Sequence, residues 1–222
     1  MGEILEICTD ASMRTFLDSG RVFTCSGAIC INNMQERYTV TADSTNNRGE
    51  LLGVYIGVKL AEEMLLREPG RYSRVNLYSD SQFSIFGLRD WMVKWRTTMD
   101  KNGVIYGSNG APVKNQELFM MIITYCVTHN LVIHFYNQKG HVNNNSSKQL
   151  ANANAQFYTA NGFYLKPEDI FKISFYNDIV DKNSRNVLDK VDPNDYPVFH
   201  YGHEGINLCH YVIPENFKDF IK

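Results

Sequence analysis

Residues 4–9 (Ile4-Leu5-Glu6-Ile7-Cys8-Thr9) form a run of mostly apolar residues, two of them isoleucine, and predict a buried first strand over residues 3–10. After the turn signal Asp18-Ser19-Gly20, residues 21–31 alternate and carry Val, Phe, Thr and Ile, which predicts a second strand. Asn32-Asn33 marks another turn, and residues 35–42 predict a third strand, so the first three form an antiparallel meander. From residue 47 the period lengthens. Leu51, Val54, Tyr55, Val58, Ala61, Met64 and Leu65 recur at three and four residues, which predicts a helix as far as about Arg67, closed by Glu68-Pro69-Gly70. Residues 74–79 form a short apolar strand, residues 81–95 one helix or two short ones, and residues 99–112 a Gly- and Asn-containing loop. Helical spacing returns over 113–128, a fifth strand spans 131–136, and a last helix covers 147–160.

The resulting order is β-β-β-α-β-α-α-β-α, an α/β chain of the mixed α+β kind. It predicts a five-stranded mixed sheet flanked by helices, because the strand–helix–strand unit at 35–79 requires a crossover. The boundary falls at Asn161-Gly162. Residues 1–161 make the main domain, and residues 162–222, rich in Tyr, Phe, Asn and Asp with weaker periodicity, make a C-terminal extension too small for a core of its own and expected to pack on the first part.

At 222 residues, with 44% hydrophobic and 21% charged residues, the chain has the composition of an ordinary globular protein. No apolar run reaches the length of a membrane span. The opening Met1-Gly2-Glu3-Ile4-Leu5-Glu6 has no basic segment, and Glu6 stands where a myristoylation motif requires Ser or Thr. The five cysteines, Cys8, Cys25, Cys30, Cys126 and Cys209, have no C-x-x-C spacing and are expected to be reduced thiols. An intracellular, cytoplasmic monomer is expected, in the host's cytoplasm if the source is viral. The formal net charge of −2 excludes nucleic-acid binding by bulk charge alone, so any such role rests on local patches.

Three carboxylates stand at the ends of elements: Asp10 near the end of the first strand, Glu50 in the opening turn of the first long helix, and Asp80 after the fourth strand. Each alone has a local explanation. Asp10 could make an Asx-turn, Glu50 could complete a capping box with Asn47, and Asp80 could cap the next helix. Together, acids that converge on one spot are the ligand set of a hard divalent cation, because clustered carboxylates are tolerable only when cations neutralise them.

The motifs Thr9-Asp10-Ala11-Ser12, Thr45-Asn46-Asn47-Arg48-Gly49-Glu50-Leu51 and Ser79-Asp80-Ser81-Gln82-Phe83 are followed by Trp91 and Trp95, Pro112-Val113-Lys114-Asn115 and Lys139-Gly140-His141. In this order they resemble the ribonuclease H type 1 family over about residues 3–160; the extension resembles nothing comparable. The resemblance implies a ribonuclease H-like fold and metal-dependent endonucleolytic hydrolysis of the RNA strand of RNA–DNA hybrids. It implies two Mg²⁺ ions, with Mn²⁺ as substitute, held by Asp10, Glu50 and Asp80. It also implies a proton-shuttling or product-releasing His141, and substrate contacts from Ser12, Thr45, Asn46, Asn47, Gln82, Trp91 and Lys114. Amide side chains in the minor groove would read the 2′-hydroxyls of RNA. Arg89, Lys94, Arg96 and Lys101 form a thin basic patch near Trp91.

One departure from the family pattern stands out. The family's fourth acid opens the last helix, yet no Asp or Glu occurs between Glu117 and Glu168, and Lys148 falls at the matching place. Asn145, a tail carboxylate such as Glu168 or Asp169, or water could fill the role, since a missing negative charge weakens the hold on a second cation. An inactive hybrid-binding module is the alternative, and a nuclease of the same fold acting on DNA is a third reading. His200, His203, Cys209 and His210 are possible zinc ligands in the extension, but their spacing matches no closed zinc pattern.

Overall fold

The computed structural model describes residues 2–196 and 213–222. Its centre is β1 (Glu3–Thr15), which pairs on both sides. Antiparallel to it lies β2 (Val22–Cys30), which in turn pairs with β3 (Gln35–Ala42). On its other side β4 (Tyr72–Ser79) runs parallel, followed by β5 (Ile133–Asn137), so the sheet order is β3-β2-β1-β4-β5. The predicted element order and the five-stranded mixed sheet are both present. β1 extends five residues beyond its predicted end because it keeps its ladder with β2, from Asp10 opposite Gly27 to Thr15 opposite Val22, after β4 has stopped at Ser79.

Helix α1 (Asn46–Arg67) crosses one face of the sheet. Its inward stripe, Leu51, Val54, Val58, Ala61 and Met64, meets Leu5, Ile7 and Leu77 from the strands and Phe119 and Ile122 from α4 (Gln116–Thr128). The chain between β4 and α4 is broken into α2 (Gln82–Phe86), a π-helical turn (Gly87–Trp91) and α3 (Met92–Thr97). α4 begins three residues later than its hydrophobic period suggests, because Asn115 adopts a left-handed φ of 56° that no helix continues through.

The opposite face is covered by α5 (Ser147–Asn161) and by α6 (Pro167–Leu188), a 22-residue helix in the extension. Ile170, Ile173 and Val180 of α6 pack with Cys8, Ile29 and Tyr78 of the sheet and Phe157 of α5. Because both faces are buried, β1 reads as a nearly continuous apolar run. The chain's last residues return to the sheet: α7 (Phe217–Phe220) buries Phe217, and Lys222 exchanges backbone hydrogen bonds with Ile133 and Phe135 at the β5 edge. Cys8, Cys25, Cys30 and Cys126 are free, buried thiols. His200, His203, Cys209 and His210 lie outside the described residues.

Candidate metal centre

Strand register brings Asp10 and Asp80 together. Thr9 of β1 sits opposite Ser79 of β4 in the parallel ladder, so Asp10 and Asp80 are the next residue on each of two adjacent central strands, where parallel pairing ends. Glu50 arrives from α1, which lies close to the sheet because Gly49, Gly53 and Gly57 form its contact line. A Cβ on Gly53 would stand 3.1 Å from the Asp10 carbonyl oxygen, and one on Gly57 would stand 2.6 Å from Thr9 Cγ2. A bulkier residue there would lift the helix, and Glu50 with it.

One oxygen from each of Asp10, Glu50 and Asp80 lies within 4.8 Å of the others. The local explanations account for little of this. Thr45, not Asn47, caps α1, and Ser81, not Asp80, caps α2. Asp10 Oδ1 does accept the Ala11 N–H at 2.7 Å, but its Oδ2 accepts from Asn177 Nδ2 of α6 at 3.2 Å. Glu50 is 7% exposed; its Oε1 accepts from Asn46 Nδ2 at 3.4 Å, and its Oε2 is buried without a hydrogen-bond partner among the described residues. A buried carboxylate oxygen with no donor is costly unless a cation meets it.

The electrostatics agree. Burial, then the Asp80 carboxylate, push Asp10 up to about 8. Burial, then Asp10 and Asp80, push Glu50 well above the ordinary carboxylate range. Asp80 is raised by burial, against the opposing influence of His141. Three anions crowded in a low-dielectric cleft resist ionisation, and a divalent cation removes that resistance. The donor set is all oxygen, which suits Mg²⁺ or Mn²⁺ rather than a thiolate-seeking metal.

The cleft has a volume of about 370 Å³ and is lined by the three acids together with Asn46, Asn47, Gln82, His141 and Asp181, among others. Asn47 and Gln82 are exposed at its rim. His141 stands in the β5–α5 connection with a φ of 52° and its side chain 74% exposed. Trp91 is 40% exposed on an aromatic group with Phe83, Phe86 and Trp95, and Phe83 reaches the cleft wall. Lys114 is exposed just before α4, and Thr45 is exposed at the α1 cap.

Other expected residues are placed differently from the sequence reading. Ser12 is buried, with its hydroxyl donating to Asp181 Oδ1 at 2.9 Å, so in this structure it holds a carboxylate. Asn145 is exposed and is not among the cleft's lining residues; its backbone N–H donates to Asn143 Oδ1 at 3.0 Å. Of the tail carboxylates considered, Glu168 is exposed, and Asp169 is 3.4 Å from Lys172 at the far end of α6. Among the described residues, the tail carboxylate at the cleft is Asp181. The basic patch also thins, because Arg89 ties the end of α5 by donating to Asn161 Oδ1 and the Ala160 carbonyl, and Arg96 pairs with Glu215.

The family model described as RNase H matches residues 3–156. This chain belongs to the RNase H family. A ribonuclease H of Mannheimia succiniciproducens is 32% identical over 126 residues, covering 56% of this chain and 72% of that one. A ribonuclease H of Pseudomonas fluorescens is 28% identical over 156 residues, covering 68% and 92%. Among solved structures, LC9-RNase H1, described as a type 1 RNase H with the type 2 active-site motif, is 18% identical, covers 76% of this chain and 81% of that one, and aligns with a TM-score of 0.44. The match to the RNase H model ends inside α5, so α6, with Asn177 and Asp181, lies beyond it.

No helix among the described residues is long and apolar enough to cross a membrane.

Proposed function

We propose that this chain is a ribonuclease H, an endonuclease that hydrolyses the RNA strand of RNA–DNA hybrids with divalent metal ions. The observation that carries the reading is the convergence of Asp10, Glu50 and Asp80, with a buried, unpartnered Glu50 oxygen among them, in a chain of the RNase H family. Asp10, Glu50 and Asp80 would hold the ions, Mg²⁺ with Mn²⁺ as substitute. A pair of such ions supplies Lewis acidity and lowers the pKa of a bound water in phosphodiester hydrolysis.

The chain's own residues do the rest. Asn46, Asn47 and Gln82 stand beside the acids, where their amides can meet 2′-hydroxyls in the minor groove and select RNA. Asn46 also donates to Glu50 and so orients that carboxylate. Thr45 and Lys114 are placed for backbone phosphates, and the half-exposed Trp91 face for the DNA strand. His141, mostly exposed at the mouth, can carry the proton given up by the attacking water out to solvent and turn away as the product leaves. A cytoplasmic setting goes with this reading.

The test is cleavage of a labelled hybrid in Mg²⁺ and in Mn²⁺, by this chain and by Asp80→Asn. The RNA strand should be cut by the unaltered chain and left whole by the variant, with duplex DNA untouched. Equal cleavage by both proteins, or none with either metal, removes the reading; tight hybrid binding without turnover would leave a binding module.

A further inference from the structure

In this chain the acid missing from the start of α5 has a counterpart on a different element. Asn177 and Asp181 lie four residues apart on α6 and therefore on one face, the face turned to the end of β1. Gly27, opposite Asp10 in the sheet, leaves room for this approach: a Cβ there would stand 2.9 Å from Val180 Cγ1 of α6. Asn177 is 1% exposed and links Gln138, which donates to its Oδ1 at 2.6 Å, to Asp10 Oδ2. Asp181, one turn further on, is 9% exposed and lines the cleft with Asp10, Glu50, Asp80 and His141. Its Oδ1 accepts from Ser12 Oγ, and its Oδ2 is 3.7 Å from His141 Nδ1.

Asp181 is also engaged from its own helix. Arg185 Nε donates to Oδ1 at 2.9 Å, and the guanidinium pairs with Oδ2, in a two-pronged arrangement. Arg185 is itself largely exposed, so the carboxylate is buried while its cation can leave. The second observation pointing to a ligand is Glu50 Oε2, more than nine-tenths buried, without a donor, in the same cleft. Four carboxylates, one of them with an unmet oxygen, call for more positive charge than one exposed guanidinium supplies.

Resting on the ribonuclease reading, we propose that α6 supplies the fourth carboxylate of the metal centre, Asp181, in place of the absent acid of α5, with Arg185 holding it until a cation arrives. Helix α6 then forms part of the catalytic unit, and Asn177 is a positioning residue for Asp10. Arg185 and the second ion compete for the same oxygens, which gives the proposal a signature with opposite signs at two residues.

The experiment is a Mn²⁺ titration of the 222-residue chain by calorimetry, read together with metal-free thermal scans and hybrid cleavage. The unaltered chain should bind two ions. Asp181→Asn should keep the first and bind the second at least tenfold more weakly, with cleavage in Mg²⁺ reduced and partly recovered in excess Mn²⁺. Arg185→Met should bind the second ion more tightly than the unaltered chain, a gain that loss of a purely structural ion pair would not produce. Asp169→Asn, on the same helix and paired with Lys172, should titrate like the unaltered chain. Two ions bound by Asp181→Asn with unchanged affinity, or weaker binding by Arg185→Met, would overturn the proposal. If Asp181→Asn does not fold, the sign of the Arg185→Met change decides alone. If the unaltered chain neither binds ions nor cleaves, it is the ribonuclease reading that fails.

Discussion

Gly140 offers a sharp test of whether the position of Asp80 matters. It lies between β5 and α5, next to His141, and its φ lies outside the left-handed region, so alanine suits its backbone. A Cβ there would stand 2.0 Å from Asp80 Oδ2 and 3.0 Å from its Cγ. Side-chain carbons essentially never approach closer than 3.0 Å, so the gap to the oxygen must open by about 1 Å. The group that yields is the free end of a carboxylate, not backbone. Turning it off its preferred rotamer costs about 0.5–1.5 kcal/mol, a fall in Tm of roughly 1–6 °C for a chain of this size. The same displacement re-aims the Asp80 carboxylate, one of the three that offer an oxygen within 4.8 Å of one another. A misplacement of about 1 Å in a catalytic constellation costs on the order of 10²-fold in rate. Gly140→Ala should therefore melt almost like the unaltered chain yet lose about two orders of magnitude in kcat on a hybrid substrate in Mg²⁺, with weaker Mn²⁺ binding by calorimetry. A variant whose kcat and Mn²⁺ affinity stay within twofold of the unaltered chain would refute the claim that Asp80 must hold this position.

Because burial raises the folded-state pKa of Asp10 from 3.8 to about 8, the native state keeps a proton that the unfolded chain releases; metal-free stability should fall as pH rises from about 4 to 8 and return on adding Mg²⁺ at pH 8, and thermal scans showing a flat or rising Tm would contradict this. Glu50→Gln replaces a carboxyl that burial and its acidic neighbours hold back from ionising, so metal-free stability in denaturant unfolding should fall less between about pH 5 and about pH 8 than in the unaltered chain, while cleavage is abolished. Gly57→Ala sets overpacking of about 1–3 kcal/mol against Thr9 and Leu77 over a gain of about 1 kcal/mol in helix propensity; a net loss of up to about 2 kcal/mol is expected, and a more stable variant would disprove the close contact. Trp91→Ala should weaken hybrid binding by about tenfold, the scale of one stacking contact, in fluorescence anisotropy at a temperature well below a Tm lowered by the lost contacts with Phe83, Phe86 and Trp95.

Much of the frame was legible in the chain itself. The change from period 2 to period 3.6 at Asn47, and the turn signals at Asp18-Ser19-Gly20 and Asn32-Asn33, lie close to the observed boundaries of β1, β2, β3 and α1. Asp10 and Asp80 were conspicuous because each ends an apolar strand, where an anion needs a reason. α6 was missed although signals for it exist: Pro167-Glu168-Asp169 is a helix start, and Ile170, Ile173, Asn177, Val180, Ser184 and Leu188 share one face. Asn177, Asp181 and Ser184 sit within that face and dilute its apolar stripe. Asn177 meets Asp10 and Asp181 meets Ser12, contacts across the fold that no local pattern contains. Which carboxylate stands beside Asp10 was likewise decided only in three dimensions. Linear order favoured the segment opening α5, whereas the packing of α6 across β1 and β2 carries Asp181 to the cleft from 171 positions further along the chain. Sequence periodicity sets which side of each element turns inward; only the packing of elements distant in the chain sets which polar groups then face one another.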